Sequence, residues 1–312
     1  MPPPDGGQAR PASALYCARV WGLAVKLARR LPHPLSRWLA SLGGKFYWLS
    51  RPGRRPVVFE NVLPVLQGDR EAARAVTRQV FRQFAVKLAD LCLYESGCSI
   101  RRLFAEMSGW EHFQAAQAHG RGVLLLTIHL GNWEFGSPLL TERGVKLQVI
   151  TGPEPHPELT RLRQAARARW GIETIALGEN PFAVVEIIRR LEANNCVALL
   201  MDRPPAGTAA RVTLFGRPFD ASGSAAELAR ASGCALLPVY LPLTPQGYAA
   251  CILPEIPYDR PALRSREARL ELTQRITTAF EPAIRRHPDQ WYHFVPIWPT
   301  GPNPAADEAT RR

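Results

Sequence analysis

The chain has 312 residues, 46% of them apolar and 21% charged, a globular composition with ample material for a core, which excludes a disordered or fibrous protein. Lys and Arg outnumber Asp and Glu by 39 to 27, a formal charge of +12. Such an excess favours an anionic partner: nucleic acid, an acidic lipid surface, a phosphorylated substrate or an acidic carrier protein.

Residues 1–13, MPPPDGGQARPAS, read as a disordered lead without a secretory signal. From Leu15 to Leu31, Cys17, Val20, Trp21, Ala24, Leu27, Ala28 and Leu31 recur at helical spacing, with Arg19, Lys26 and Arg30 on another face and Leu23 nearer the charged one. A second amphipathic piece, LSRWLASLGGKFYWLSRPGRR, sets Trp38, Phe46, Tyr47 and Trp48 beside Arg37, Lys45, Arg51, Arg54 and Arg55. Two readings stand: a helical pair packed on the domain with solvated charges, or helices lying on an anionic membrane with aromatics at headgroup depth. Residues 14–56 are accordingly set apart as membrane-associating helices.

Asp69 to Glu95 predicts a long amphipathic helix. Beyond it, short apolar runs alternate with helical stretches: GVLLLTIHL, KLQVI, ETIAL, CVALLMD, RVTLFG, ALLPVYL and YAACIL read as strands. The uncharged run from Ala231 to Pro254 contains Pro238, Pro242, Pro245 and Gly247, so it reads as two strands joined by a PQG turn, not as a membrane span. Arg264 to Arg286 predicts a closing helix, and residues 301–312 a tail. The expectation is a single layered α/β domain over 57–300, its central sheet mostly parallel or mixed and flanked by helices, with an N-terminal helical extension.

The sharpest chemical feature is Thr127-Ile128-His129-Leu130-Gly131-Asn132-Trp133-Glu134. An apolar strand delivers His129 to its C-terminal end, where ligands bind in open α/β sheets. A helix starting near Trp133 places Glu134 in its first turn, from which a carboxylate reaches back to the imidazole, fixes its tautomer and favours the imidazolium as it forms. The plain alternative is a core histidine beside a solvated glutamate. The motif is not the HExxH of a zinc hydrolase, and His33, His112, His119, His156, His287 and His293 show no ligand cluster. No GxSxG elbow, P-loop or GxGxxG occurs. The six cysteines, Cys17, Cys92, Cys98, Cys196, Cys234 and Cys251, form no CxxC pair, so metal fingers and disulfide frameworks are poorly supported. Nor do the arginines interleave with a stacking platform, which argues against nucleic acid.

Residues 121–136, RGVLLLTIHLGNWEFG, resemble the H-x4-(D/E) block of the bacterial lipid A biosynthesis acyltransferases, within the lysophospholipid acyltransferase superfamily. Further blocks resemble that family in the family's order: VVFENVLPVL (57–66), CVALLMDRP (196–204), RVTLFGRPFDASGSAAELARASGCALLPVYL (211–241) and HPDQWYHFVPIW (287–298). The last departs from the basic closing stretch of the best-known lipid A enzymes, which leaves the acceptor open.

The resemblance implies acyl transfer from a thioester, acyl carrier protein or acyl-coenzyme A, to a hydroxyl of a membrane glycolipid, with a lipid A precursor as the leading acceptor. A phosphatidylinositol mannoside, an aminolipid or a lysophospholipid is the alternative, as is a lipid-binding protein without turnover. It makes His129 the general base, Glu134 its charge-relay partner, Arg167 or Arg169 an active-site arginine and Asp202 a second functional carboxylate. Asn132 is expected to position the turn near the substrate. A thioester is already activated, so neither metal nor cofactor is expected. The expected location is the cytoplasmic face of the inner membrane, peripheral or monotopic.

Overall fold

The computed structural model describes residues 18–152, 156–177, 182–205 and 207–299. The lead at 1–13 and the tail at 301–312 lie outside them, as does Cys17. The strands are β1 (Phe104–Ser108), β2 (Val123–Thr127), β3 (Leu147–Thr151), β4 (Glu173–Ala176), β5 (Cys196–Leu200), β6 (Ala209–Leu214), β7 (Arg217–Ser222), β8 (Ala235–Tyr240), β9 (Leu243–Thr244) and β10 (Gly247–Ile252). The helices are α1 (Ala18–Arg30), α2 (His33–Ser50), α3 (Arg55–Val62), α4 (Arg70–Glu95), α5 (Trp110–Ala118), α6 (Gly136–Thr141), α7 (Pro157–Ala168), α8 (Ala183–Glu192), α9 (Ser224–Ser232), α10 (Arg266–Ala279) and α11 (Glu281–Arg286).

The main sheet runs β1-β10-β8-β2-β5-β3-β4, with β9 paired to β10. From β8 to β4 neighbours are parallel; β10 runs antiparallel to β8, and β1 parallel to β10. The sheet is therefore mixed and mostly parallel, with helices on both faces. Alternation along the strands divides the core: Leu124, Leu126, Val197, Leu199 and Leu236 meet α8, α9 and α10, whereas Val123, Leu125, Cys196, Ala235 and Leu237 meet α5 and α6. Strands buried on both faces explain the continuous apolar runs in the sequence.

Some elements depart from the sequence reading. RVTLFG is paired with RPFDAS in a separate two-stranded hairpin, outside the main sheet. Its turn, Phe215-Gly216, has φ of 50° and 72°, the doubly left-handed geometry of a tight hairpin. The closing helix is divided at Phe280, just ahead of Pro282, into α10 and α11. The stretch after Asn132 begins as a 3-10 turn, Trp133–Phe135, before α6.

The N-terminal helices are anchored through α4, whose first turn is capped by the Asp69 side chain accepting from the Glu71 and Ala72 amides. Fully buried Asp90 on α4 accepts from His33 Nε2 at 2.8 Å, Arg37 Nη2 at 2.8 Å and the Tyr248 hydroxyl at 2.7 Å. One carboxylate thus ties α2, α4 and β10 together. Gly44 lets α2 approach α4 closely, since a Cβ there would lie 2.8 Å from the Phe81 carbonyl oxygen. Away from that contact, Leu35, Trp38, Leu39, Leu42, Phe46 and Leu49 on α2 and Val20, Leu23 and Leu27 on α1 are exposed. Among the described residues no helix is long and apolar enough to cross a membrane.

Candidate active site

The register of β2 and β5, in which Thr127 faces Leu200, carries two residues further to set His129 opposite Asp202. The chain leaves β2 over the α6 face and β5 over the α9 face, in opposite directions, which opens a crevice at these strand ends. Gly131 shapes the exit from β2: its φ is +63°, and a Cβ would stand 1.9 Å from the Leu241 carbonyl oxygen. The Gly131 amide donates to the Gln290 carbonyl at 2.9 Å and the Tyr292 amide to the His129 carbonyl at 2.9 Å, so the closing segment lies along this exit like a strand.

That segment completes a hydrogen-bond cluster around Asp202. His129 Nδ1 lies 2.7 Å from Asp202 Oδ1, and the His129 amide donates to Oδ2 at 2.9 Å. Trp291 Nε1 donates to Oδ2 at 3.0 Å, and His293 Nε2 lies 2.9 Å from the same oxygen. Burial alone would raise the Asp202 pKa, but His129 and His293 hold it well below the usual carboxylate range. An ionised Asp202 accepts only, so both imidazole nitrogens facing it carry the hydrogen. For His129 this leaves Nε2 with the lone pair. Burial pushes the His129 pKa down to about 4 against the opposing pull of Asp202. The ring is neutral near pH 7 and its side chain keeps 12% exposure. Trp133 meets it edge-on, with ring centroids 4.8 Å apart.

Glu134 has a different partner from the one its spacing suggests. Its carboxylate is bound bidentately by Arg167, Nη2 to Oε1 at 2.6 Å and Nε to Oε2 at 3.0 Å. Both side chains are almost buried, and although burial would raise the Glu134 pKa, the Arg167 charge and hydrogen bonds bring it down to about 2. The 3-10 turn points Glu134 at α7 rather than at the imidazole. Exposed Arg169 donates to the Glu95 carbonyl at the end of α4. Asn132 is fully buried; its amide nitrogen donates to the Leu241 carbonyl at 2.9 Å, and its carboxamide has no hydrogen-bond partner among the described residues.

Three residues at this site escaped the sequence reading. Trp291 and His293 sit inside HPDQWYHFVPIW, quoted above for its resemblance alone, and that block was the signal to follow. Lys87, from the buried face of α4, puts its ammonium 3.8 Å from the Trp133 ring centroid. A lysine within a helical run carries no such signal.

Beside the site lies an apolar pocket lined by Leu125, Thr127, Trp133, Ser137, Ala198 and Cys251, among others. A larger cleft of about 850 Å³ opens between α8, α9 and α10; Leu199, three residues before Asp202, reaches it, but His129 and Asp202 do not. The His129 cluster lies outside the larger cleft. Among the described residues no group of three or more His, Cys, Asp or Glu side chains is placed to hold a metal ion.

An imidazole held by a carboxylate and left with a free Nε2 lone pair, next to an apolar pocket, has the features of a general base. A family model described as bacterial lipid A biosynthesis acyltransferase matches residues 14–300, and the chain belongs to that family: it is an acyltransferase, with an acyl donor and a lipid acceptor. Similar relatives include two phosphatidylinositol mannoside acyltransferases from strains of Mycobacterium tuberculosis. The H37Rv protein is 28% identical over 239 residues, and the CDC 1551 protein 29% over 238; each match covers 75% of this chain and 70% of the relative. A phosphatidylinositol mannoside acyltransferase of Mycolicibacterium smegmatis is 25% identical over 190 residues, 60% of each chain.

Proposed function

We propose that this enzyme moves a fatty acyl group from a thioester, acyl-coenzyme A or acyl carrier protein, to a hydroxyl of a phosphate-bearing membrane glycolipid. The observation that carries the reading is the His129–Asp202 pair at the strand ends. His129 Nε2 takes the acceptor hydroxyl proton as the oxygen attacks the thioester carbonyl carbon. Asp202 steadies the imidazolium that forms. The tetrahedral adduct collapses, the carbon–sulfur bond breaks, and the imidazolium returns its proton to the departing sulfur. In this scheme Asp202 takes the relay role that spacing assigns to Glu134. Glu134 and Arg167 brace the wall of the site, Arg169 anchors the end of α4, and Asn132 holds the turn. The apolar pocket lined by Trp133 receives the acyl chain.

For the acceptor, the activity for which the similar relatives are named favours a phosphatidylinositol mannoside type of lipid. A lipid A precursor is the second reading, favoured by the family's description. We also propose residues 14–56 as the membrane-docking unit and 57–300 as the catalytic unit, with the exposed apolar side chains of α1 and α2 seated on an anionic inner-membrane surface, on its cytoplasmic face.

The test is acyl transfer by the purified full chain, from acyl-coenzyme A and from acyl carrier protein, to each acceptor. His129→Ala should lower the rate at least about a hundredfold. Unchanged transfer by that variant overturns the mechanism, and transfer to a lipid A precursor alone overturns the acceptor assignment.

A further inference from the structure

Lys87 is only 5% exposed, yet its ammonium has no hydrogen-bond acceptor among the described residues and rests on the Trp133 ring instead. The same indole meets the His129 ring edge-on, so the ammonium lies within the sum of 3.8 Å and 4.8 Å of the imidazole centroid. Charged side chains of both signs surround Lys87. Arg163 and Arg203 oppose it, Glu134 and Glu95 favour it, and Glu134 is already committed to Arg167. Glu95 is engaged by the Trp21 indole. Arg203, whose guanidinium is anchored on the Tyr292 carbonyl, is a charged neighbour of both Lys87 and His129. Burial pushes the Lys87 pKa down to about 7, with Arg163 adding to the fall, which an anion at the ammonium would reverse. A cation whose one close partner among the described residues is a ring is half of a charge-assisted contact.

We propose that Lys87 is the phosphate-binding residue of the acceptor site: its ammonium takes a phosphate oxygen of the lipid headgroup while a hydroxyl of that headgroup stands at His129. The inference rests on the proposed acyl transfer and deepens it. Lys87 here is a specificity residue, which selects an acceptor carrying both phosphate and hydroxyl. The thioester donor supplies a second possible source of phosphate, in coenzyme A or a phosphopantetheine arm, and the test separates the two.

Wild type, Lys87→Met and Lys87→Arg are compared with phosphatidylinositol mannoside and with a phosphate-free glycosyl diacylglycerol as acceptors. Each is paired with acyl-coenzyme A and with a phosphate-free N-acetylcysteamine thioester. Lys87→Met should lose at least about tenfold more kcat/KM on the phosphorylated acceptor than on the neutral one, with either donor, chiefly through acceptor KM. Lys87→Arg should recover part of that loss. Equal losses on both acceptors, or a loss that follows the coenzyme A donor, overturn the proposal. Calorimetric titration with glycerophosphoinositol gives a readout that does not depend on turnover: Lys87→Met should bind at least about tenfold more weakly than wild type. Equal binding overturns the assignment even if transfer is intact. Absence of transfer by wild type with every pair overturns the proposed donor and acceptor classes, while the titration still decides Lys87. Lys87→Gln carries both comparisons if Lys87→Met does not fold.

Discussion

Asp202 grips His129 at two points, taking the ring Nδ1 hydrogen on Oδ1 at 2.7 Å and the backbone amide on Oδ2 at 2.9 Å. The carboxylate therefore controls both where the residue sits and which way the ring faces. Trp291 and His293 hold Oδ2 from the other side, so neither carboxylate oxygen is free to swing.

Asp202→Asn keeps the shape but offers the imidazole an amide that can present its NH2 to Nδ1 and favour the wrong tautomer. In the proposed reaction kcat should fall by roughly 10²–10⁴-fold, the range of general acid–base catalysis, with acceptor KM little changed. Steady-state transfer assays read this directly. A drop confined to KM would assign Asp202 to binding.

The pH profile follows from the depressed His129 pKa. The base is active when neutral, and burial keeps it neutral down to about pH 4. The acid limb of kcat in the proposed reaction should therefore fall well below the ordinary histidine value of about 6.5. Asp202→Asn removes the charge that favours the imidazolium, so the limb should move lower still. The same depression bears on stability: between about pH 6.5 and 4 the unfolded chain binds a proton that the folded His129 refuses, so stability declines as pH falls through that window. Urea midpoints measured across this range check it.

Glu134 and Arg167 are nearly buried and bidentate, so removing one strands the other. Glu134→Gln should cost about 3–5 kcal/mol, and the double variant Glu134→Gln/Arg167→Met should cost less than the two single changes together. Thermal melts of the four proteins complete the cycle. Strict additivity would mean that the pair is not coupled.

Trp38 and Phe46 stand 58% and 72% exposed on α2. Replacing either with Asp should weaken sedimentation with anionic vesicles by roughly tenfold or more, the scale of losing part of an aromatic side chain's burial. Neither change should alter the thermal melt, because neither side chain touches the core. Unchanged sedimentation by the double variant would move the lipid contact away from α2.

The sequence made the frame of the site legible and hid its partners. His129 could be placed at a strand end because GVLLLTI is a doubly buried strand followed by a Gly-Asn turn. Its carboxylate could not be identified from spacing, because Asp202 is 73 residues away and arrives through the β2–β5 register. Glu134 looks well placed only if a helix begins at Trp133; the 3-10 turn instead aims it at Arg167. Family resemblance marked Asp202 and HPDQWYHFVPIW, but not that Trp291 and His293 converge on that carboxylate. The edge strand FAEMS was missed because an edge position leaves it half polar, and RPFDAS because Pro218 disguises a hairpin strand. The amphipathic character of α1 and α2 is plain from the sequence, but only packing shows how their apolar residues divide: Trp21, Ala28, Tyr47 and Trp48 turn inward while Val20, Leu27, Trp38 and Phe46 stay exposed.

The pairing of β2 with β5 has a consequence for how the molecule comes apart. His129 and Asp202 leave adjacent strands in the middle of the sheet, joined again past their ends where the Met201 amide donates to the Thr127 carbonyl at 2.8 Å. These ladders belong to the most protected part of such a fold, the part that opens only in global unfolding. Helix α2, in contrast, lies on the outside and reaches the sheet through Arg37, the Asp90 carboxylate and Tyr248. Rising denaturant therefore strips the chain from the outside in. Amide hydrogens of α2 exchange early, and those around the imidazole and its carboxylate persist until the whole domain melts.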